Sequence, residues 1–326
     1  MIGKYDIEVY NNKVHYSLTV RRNITVIQGF SATGKSELIR LISQYEAFGN
    51  SSGITIKSEV PCKVLTGPDW EIVLRSTENS IIFIDENVNF TRKKEFARLV
   101  AESDNYFVIV TRDDLSELTY SVDEIYGLRD VSDTQKYKTF HKVYNEMYRL
   151  YNFDIKREYQ VDRVISEDSN SGYEFFHNVL GDICMSSYGK SNVYKKVVSS
   201  KDTELVIVDG AAFGDQIGKL IRYIESNKKD CVIYAPESFE YVILSSGLLN
   251  IDNNVLEETY NYADSTKYIS WERFYTQYLV DISRDTVYRY NKSKLNSVFL
   301  DKTSVNRIME ILPDIIKNLR NRKDDN

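Results

Sequence analysis

A glycine-rich segment near the N-terminus constrains the fold of this chain more than any other feature of its sequence. Residues 29–36 match the pattern G-x-x-x-x-G-K-[ST] in full. The segment reads Gly29, Phe30, Ser31, Ala32, Thr33, Gly34, Lys35, Ser36. An apolar strand at residues 24–27 precedes it, and apolar residues at helical spacing follow it. A strand, a glycine turn and a helix in this order predict an α/β fold.

The spacing of this segment suits the phosphates of a nucleoside triphosphate. The glycines let the backbone curl, so that successive amide groups point at the β-phosphate, and the positive end of the following helix adds to the attraction. Lys35 would reach the β- and γ-phosphates, and the Ser36 hydroxyl would ligate Mg²⁺. No base-reading residue is apparent, so ATP is preferred by default. We therefore expect ATP and Mg²⁺ as ligands of residues 29–36.

A second motif is the apolar run at residues 81–84, which is followed by two carboxylates, Asp85 and Glu86. The loop and this run resemble the Walker A and Walker B motifs of P-loop ATPases. The resemblance implies that Asp85 holds the Mg²⁺ through water and that Glu86 orients the attacking water. It makes the chain an expected ATPase with Lys35 and Glu86 as catalytic residues. Arg112 ends the next strand and would either sense the γ-phosphate or form a surface salt bridge.

Other classes of nucleotide-binding protein fit less well. The interval between Lys35 and Asp85 is too short for the helical subdomain and signature loop of ABC-type ATPases. Residues 227–230 carry the letters N-K-x-D that a GTPase uses to read guanine, but they lie far from the loop, at the end of a predicted helix, and are interpreted as a coincidence. A small-molecule kinase stays an alternative because kinases share the loop, although no lid segment is evident.

A second α/β series begins near residue 162. A strand at residues 163–166 leads to Glu167, and a strand at residues 205–208 leads to Asp209, each with a helix after it. This order resembles the two acidic motifs of a Toprim domain. The resemblance implies that Glu167 is an acid/base group and a metal ligand, and that Asp209 is a second metal ligand, for Mg²⁺-dependent phosphodiester chemistry.

The second acidic motif departs from the Toprim pattern, because Ala211 stands in place of the second aspartate of D-x-D. Metal binding is therefore in question. Three other carboxylates would complete a metal site if the fold brought them close: Asp168, Asp215 and Glu237. The alternative is that Glu167 and Asp209 only cap the helices that follow them.

The expected fold class is an α/β P-loop NTPase domain with a parallel-type sheet, joined to a Toprim-like α/β domain with a helical tail. The expected parts are an ATPase domain at 1–130, a connecting segment at 131–161, a Toprim-like domain at 162–250 and a mainly helical region at 251–326. This order resembles the overcoming-lysogenisation-defect nucleases, in which nucleotide state gates a nuclease. Besides the kinase, two functions stay open: an ATP-controlled nuclease acting on DNA or RNA, and a nucleotide-dependent regulatory protein with a degenerate Toprim-like domain.

The amino-acid composition limits the class of protein, its partners and its cellular compartment. The 326 residues include 42% hydrophobic and 28% charged residues, which is the balance of a globular protein. The net charge of −6 disfavours a uniformly basic nucleic-acid coat but does not exclude DNA or RNA. No apolar run approaches the roughly 20 residues that span a bilayer, and the N-terminus lacks a signal-peptide core. We expect a cytoplasmic protein without a membrane partner, and the sequence leaves a homo-oligomer open.

The cysteines and histidines carry little functional information. The three cysteines form no C-x-x-C pair, so neither a zinc site nor a disulfide framework is predicted. The three histidines, His15, His141 and His177, are isolated along the chain and are interpreted as packing or surface residues.

Overall fold

The structure, a computed structural model, describes residues 1–29, 34–132, 142–153 and 159–324. The chain divides into two compact units. The first unit is Met1–Asn152 with Glu258–Ile269, and the second is Phe153–Glu257 with Ser270–Asn326. These limits differ from the expected ones, because part of the predicted connecting segment and part of the predicted helical region belong to the first unit.

Nine strands of the first unit form a single sheet. In chain order the elements are β1 (Tyr5–Tyr10), β2 (Val14–Val20), β3 (Ile24–Ile27), α1 (Lys35–Phe48), β4 (Thr55–Lys57), β5 (Cys62–Val64), α2 (Trp70–Arg75), β6 (Ile81–Ile84), α3 (Lys94–Glu102), β7 (Tyr106–Val110), β8 (Ile125–Asp130) and β9 (Val143–Arg149). The strand order across the described residues is β4-β1-β2-β9-β8-β3-β7-β6-β5.

This sheet is mixed, which corrects the expectation of a parallel-type sheet. Strands β8, β3, β7, β6 and β5 are parallel neighbours, as the α/β pattern predicted. Strands β1 and β2 form an antiparallel hairpin, and the pairs β1–β4 and β8–β9 are also antiparallel. In the hairpin turn, the Asn11 side-chain oxygen accepts the N–H groups of Lys13 and Val14 at 2.8 and 2.9 Å, which reverses the chain within three residues.

Burial explains why these strands were readable in the sequence. Every residue of β3, β6 and β7 is buried, as expected for central parallel strands covered on both faces. In β2 buried and more exposed residues alternate, which is the pattern of a sheet with one covered face. Helix α1 buries Leu38, Ile39, Leu41 and Ile42 in the same core. The core thereby holds both ends of the glycine-rich segment, the end of β3 and the start of α1.

The second unit has a four-stranded sheet of order β11-β10-β12-β13, and all of its strand pairs are parallel. Its elements are β10 (Arg163–Ser166), α4 (Ser171–Leu180), β11 (Cys184–Ser186), α5 (Lys190–Val198), β12 (Glu204–Ile207), α6 (Gly214–Asn227), β13 (Cys231–Tyr234), α7 (Phe239–Ser245), α8 (Asn254–Glu257), α9 (Trp271–Ser283), α10 (Lys302–Ile311) and α11 (Asp314–Asp324). The predicted strand at 163–166 is confirmed.

The helix that follows Glu167, α4, ends at Leu180. Gly181 follows α4 with a φ of 73°, a left-handed conformation that stops a helix, and β11 begins at Cys184. The longest helices have 14 residues, and none in the described part of the chain is long and apolar enough to cross a bilayer.

Candidate functional site

The segment between β3 and α1 is the first candidate site, and its described part has the backbone that the pattern requires. Gly29 and Gly34 have backbone φ angles of 135° and 84°, which residues with a Cβ atom rarely adopt. Among the described residues no side chain caps the start of α1, where helix N–H groups bind anions. Ser36 is exposed in this first turn. The predicted ligand-binding residues Phe30, Ser31, Ala32 and Thr33 lie outside the described residues.

The Lys35 side chain folds back into the loop that it follows. Its ammonium donates a hydrogen bond to the Gly29 carbonyl at 2.9 Å, and the residue is buried. Burial lowers the pKa of Lys35, the charge of Glu86 raises it and the charge of Arg112 lowers it. The loop lysine and the two charged residues at the ends of β6 and β7 therefore share one electrostatic environment.

Tyr16 of β2 forms a hydrogen bond with the second glycine of the loop, a contact that the sequence does not predict. Its hydroxyl donates to the Gly34 carbonyl at 2.8 Å. A Cβ on Gly34 would lie 2.7 Å from the same hydroxyl, so Gly34 is required for space as well as for its φ angle. The alternation along β2 indicates that Tyr16 faces the core, but no sequence signal connects it with a loop 18 residues away.

Removing the Tyr16 hydroxyl should loosen the loop. We expect Tyr16→Phe to weaken ATP binding about fivefold, because the lost hydrogen bond contributes about 1 kcal/mol and leaves the Gly34 carbonyl unsatisfied. Tyr5→Phe is a matched control, since the Tyr5 hydroxyl also donates to a carbonyl, that of Ile2 at 2.7 Å. Calorimetric titration of the three proteins with ATP makes the comparison, and equal affinities for Tyr16→Phe and the parent would contradict it.

Asp85 and Glu86 follow β6 at the same edge of the sheet as the loop, because β3, β7 and β6 run parallel. The Asp85 carboxylate accepts the Glu86 N–H at 2.8 Å and the Asn87 side-chain amide at 3.0 Å. Arg112, at the end of β7, donates two hydrogen bonds to the Glu86 carboxylate at 2.9 and 3.0 Å. Of the two roles expected for Arg112, the structure has the salt bridge, and its partner is the predicted catalytic carboxylate.

The second candidate site lies at the carboxyl ends of β10 and β12, which are neighbours in the second sheet. The structure brings Glu167 and Asp209 together: the Glu167 carboxylate accepts the Asp209 N–H at 2.9 Å. The Asp209 carboxylate in turn accepts the Phe239 N–H at 3.2 Å. Glu167, Asp168 and Asp209 line a cavity of about 20 Å³. A water needs roughly 10–15 Å³, so the cavity has room for one water molecule.

Burial and like charges raise the pKa of both carboxyl groups. Burial, together with the charge of Glu272 and against the hydrogen bond from the Asp209 N–H, raises the pKa of Glu167 to about 8. Burial also raises the pKa of Asp209, together with the charges of Glu272, Glu167 and Glu240, while Lys292 lowers it. Raised pKa values of this kind disfavour metal binding, because a cation needs ionised carboxylates.

The residues expected to complete a metal site have other partners. Asp168 accepts the N–H groups of Gly172 and Tyr173 at 3.2 and 2.9 Å, so the helix-capping role considered for Glu167 belongs to its neighbour. Asp215 forms an ion pair of 2.8 Å with Lys190. Within the described ranges no group of three or more His, Cys, Asp or Glu side chains is arranged to hold a metal ion. The residues present do not fit the divalent site that the acidic motifs imply.

The described histidines are packing residues, as interpreted from the sequence. His15 stacks on Tyr10 with ring centroids 5.0 Å apart, and a ring nitrogen of His177 lies 3.1 Å from the Cys184 carbonyl oxygen. His141 lies outside the described residues.

Comparison with known proteins does not assign either site. No protein-family model matches the chain, and no curated protein does. The assignment of function therefore depends on the residues and geometry of the two sites.

Proposed function

We propose that this protein binds ATP with Mg²⁺ through residues 29–36 and hydrolyses the nucleotide. One observation carries the proposal. The glycine-rich segment and the carboxylates Asp85 and Glu86 follow parallel strands of one sheet, and parallel sheets bind ligands at the carboxyl ends of their strands. β7 lies between the two strands, and Arg112, two residues beyond its end, forms hydrogen bonds with Glu86.

The loop residues have separate roles in this proposal. The Lys35 ammonium exchanges the Gly29 carbonyl for phosphate oxygens, which are better acceptors because they are charged. The Ser36 hydroxyl and, through water, Asp85 would hold Mg²⁺, which supplies charge neutralisation on the phosphates. Tyr16 keeps the Gly34 peptide in place while the loop closes around the phosphates.

Glu86 orients the attacking water and accepts its proton in this scheme. In the structure both Glu86 carboxylate oxygens accept hydrogen bonds from Arg112. A bound γ-phosphate competes for Arg112, because a guanidinium forms paired hydrogen bonds with phosphate as well as with carboxylate. Nucleotide binding would thereby release Glu86 for water and move Arg112 towards the γ-phosphate.

For the second unit we propose a Toprim-like domain whose state follows the bound nucleotide, with two candidate functions. The adjacency of Glu167 and Asp209 supports a metal-dependent nuclease acting on DNA or RNA. Three observations support a regulatory protein whose Toprim-like unit is not catalytic. They are Ala211 in the second acidic motif, the absence of a metal-binding group among the described residues, and the raised pKa values of Glu167 and Asp209. More observations support the regulatory function, which we take as the conclusion.

A cleavage assay separates the two candidates. The purified protein is incubated with plasmid DNA or RNA and Mg²⁺ or Mn²⁺, with and without ATP, beside the variants Glu167→Ala and Asp209→Ala. We expect ATP hydrolysis without cleavage, because the described residues of the second unit form no group that could hold a metal ion. Metal-dependent cleavage that both variants lose would instead establish the nuclease.

A further inference from the structure

A lysine lies among the carboxylates of the second unit. The Lys292 ammonium is 2.5 Å from a Glu272 carboxylate oxygen and 3.5 Å from a Glu240 carboxylate oxygen. The charge of Asp209 also acts on Lys292, and with the charges of Glu240 and Glu272 it raises the pKa of the lysine against the effect of burial. We call Glu167, Asp209, Glu240, Glu272 and Lys292 the acidic cluster.

Hydrogen bonds fix the backbone that carries Lys292. The Tyr290 hydroxyl donates to Glu240 at 2.7 Å and lies 2.6 Å from the Ser171 hydroxyl. The Ser171 N–H donates to the Lys292 carbonyl at 3.2 Å, and the Tyr290 N–H donates to the Ser283 hydroxyl at 2.9 Å. These hydrogen bonds fix the backbone at Tyr290 and Lys292, and the ammonium extends from it to Glu272 and Glu240.

The buried carboxylate of Glu240 needs a positive charge beside it. Its side chain is 1% exposed, and one of its carboxylate oxygens has no hydrogen-bond partner among the described residues. A buried carboxylate is strongly unfavourable unless a positive charge lies beside it. The other oxygen accepts from Tyr290 and faces Lys292. Lys292 supplies the neighbouring charge that Glu240 requires.

We propose that the Lys292 ammonium is the resident cation of the acidic cluster, in the role that a divalent metal ion would have, so that the second unit folds and functions without bound metal. The carboxylate oxygens nearest the ammonium, on Glu240 and Glu272, are already committed to it. A divalent ion would have to displace the ammonium, because two cations in contact with the same oxygens repel each other. This inference concerns the second unit alone and does not depend on ATP hydrolysis.

The test measures Mn²⁺ binding to the full chain without nucleotide, by paramagnetic resonance of free Mn²⁺ and by thermal unfolding. The parent protein is expected to bind no Mn²⁺ at about 1 mM, the concentration at which weak carboxylate sites fill. Lys292→Met removes the charge and keeps the length of the side chain. This variant is expected to unfold at a lower temperature, to bind Mn²⁺ at least about tenfold more tightly than the parent, and to regain stability from it.

Two further variants make the result specific. Asp209→Asn in the Lys292→Met background should remove the gained Mn²⁺ binding, since it takes away a carboxylate of the cluster. Lys294→Met makes the same change two residues along, at an exposed lysine, and should alter neither stability nor Mn²⁺ binding.

Either of two outcomes overturns the proposal. One is Mn²⁺ binding by the parent that Asp209→Asn abolishes. The other is a folded Lys292→Met variant that neither loses stability nor gains Mn²⁺ affinity. If Lys292→Met does not fold, the parent and Asp209→Asn decide the question by themselves. Failure of the proposed ATPase would leave these measurements unchanged, because no nucleotide is present.

Discussion

Lys35→Ala is expected to lower ATP affinity by about a hundredfold, below detection by calorimetry, because each charged hydrogen bond to phosphate is worth about 1.5–3 kcal/mol. The substitution removes the only ammonium that the structure, within its described residues, places against the Gly29 carbonyl of the loop. The variant should still fold. The Lys35 ammonium is buried and its pKa is lowered, so its charge contributes little to the stability of the fold.

A matched lysine controls for the loss of positive charge. Lys94 is the first residue of α3, as Lys35 is of α1, and it is exposed. Lys94→Ala should bind ATP as the parent does. Thermal unfolding of both variants checks that they are folded. Unchanged ATP affinity in Lys35→Ala would remove the basis for placing the phosphates in this loop.

Glu86→Gln is expected to keep ATP binding and to slow hydrolysis by about 10²–10⁴, the usual contribution of a positioned base. Glutamine has the same shape and still accepts a hydrogen bond from Arg112, but it cannot take a proton from water. The measurement is steady-state phosphate release at saturating ATP, with affinity determined separately.

Glu102→Gln is the control for this substitution. The Glu102 carboxylate also accepts a hydrogen bond from an arginine, Arg98, at 2.7 Å, and it lies on an exposed surface of the same unit. It should hydrolyse ATP at the parental rate. Equal turnover in Glu86→Gln and the parent would mean that Glu86 is not the catalytic group, while leaving nucleotide binding by the loop intact.

The elements that could be predicted are those whose patterns are local. Continuous apolar runs predicted β3 and β6, and helical spacing predicted α1, because burial on one or both faces selects such patterns. Strand β9 was missed and assigned to the connecting segment. Its outer face carries polar and aromatic side chains such as Tyr144 and Tyr148, which hide the alternation, and only pairing with β2 and β8 identifies it.

At the candidate sites, too, local features could be predicted from the sequence and distant partners could not. The loop at residues 29–36 and the carboxylates Asp85 and Glu86 could be predicted as a candidate site because the proposed phosphate binding uses neighbouring backbone groups and the end of one strand. The partner of Glu86 was not readable, since Arg112 is 26 residues away in the sequence.

The sequence by itself determined the α/β class, the position of the phosphate-binding pattern and the strand ends that carry Glu167 and Asp209. Only the tertiary structure decided which charges meet: Arg112 with Glu86, and Lys292 with Glu240 and Glu272. The physical reason is that periodicity and turn chemistry act over a few residues, whereas an ion pair depends on the distance between two atoms after the whole chain has folded.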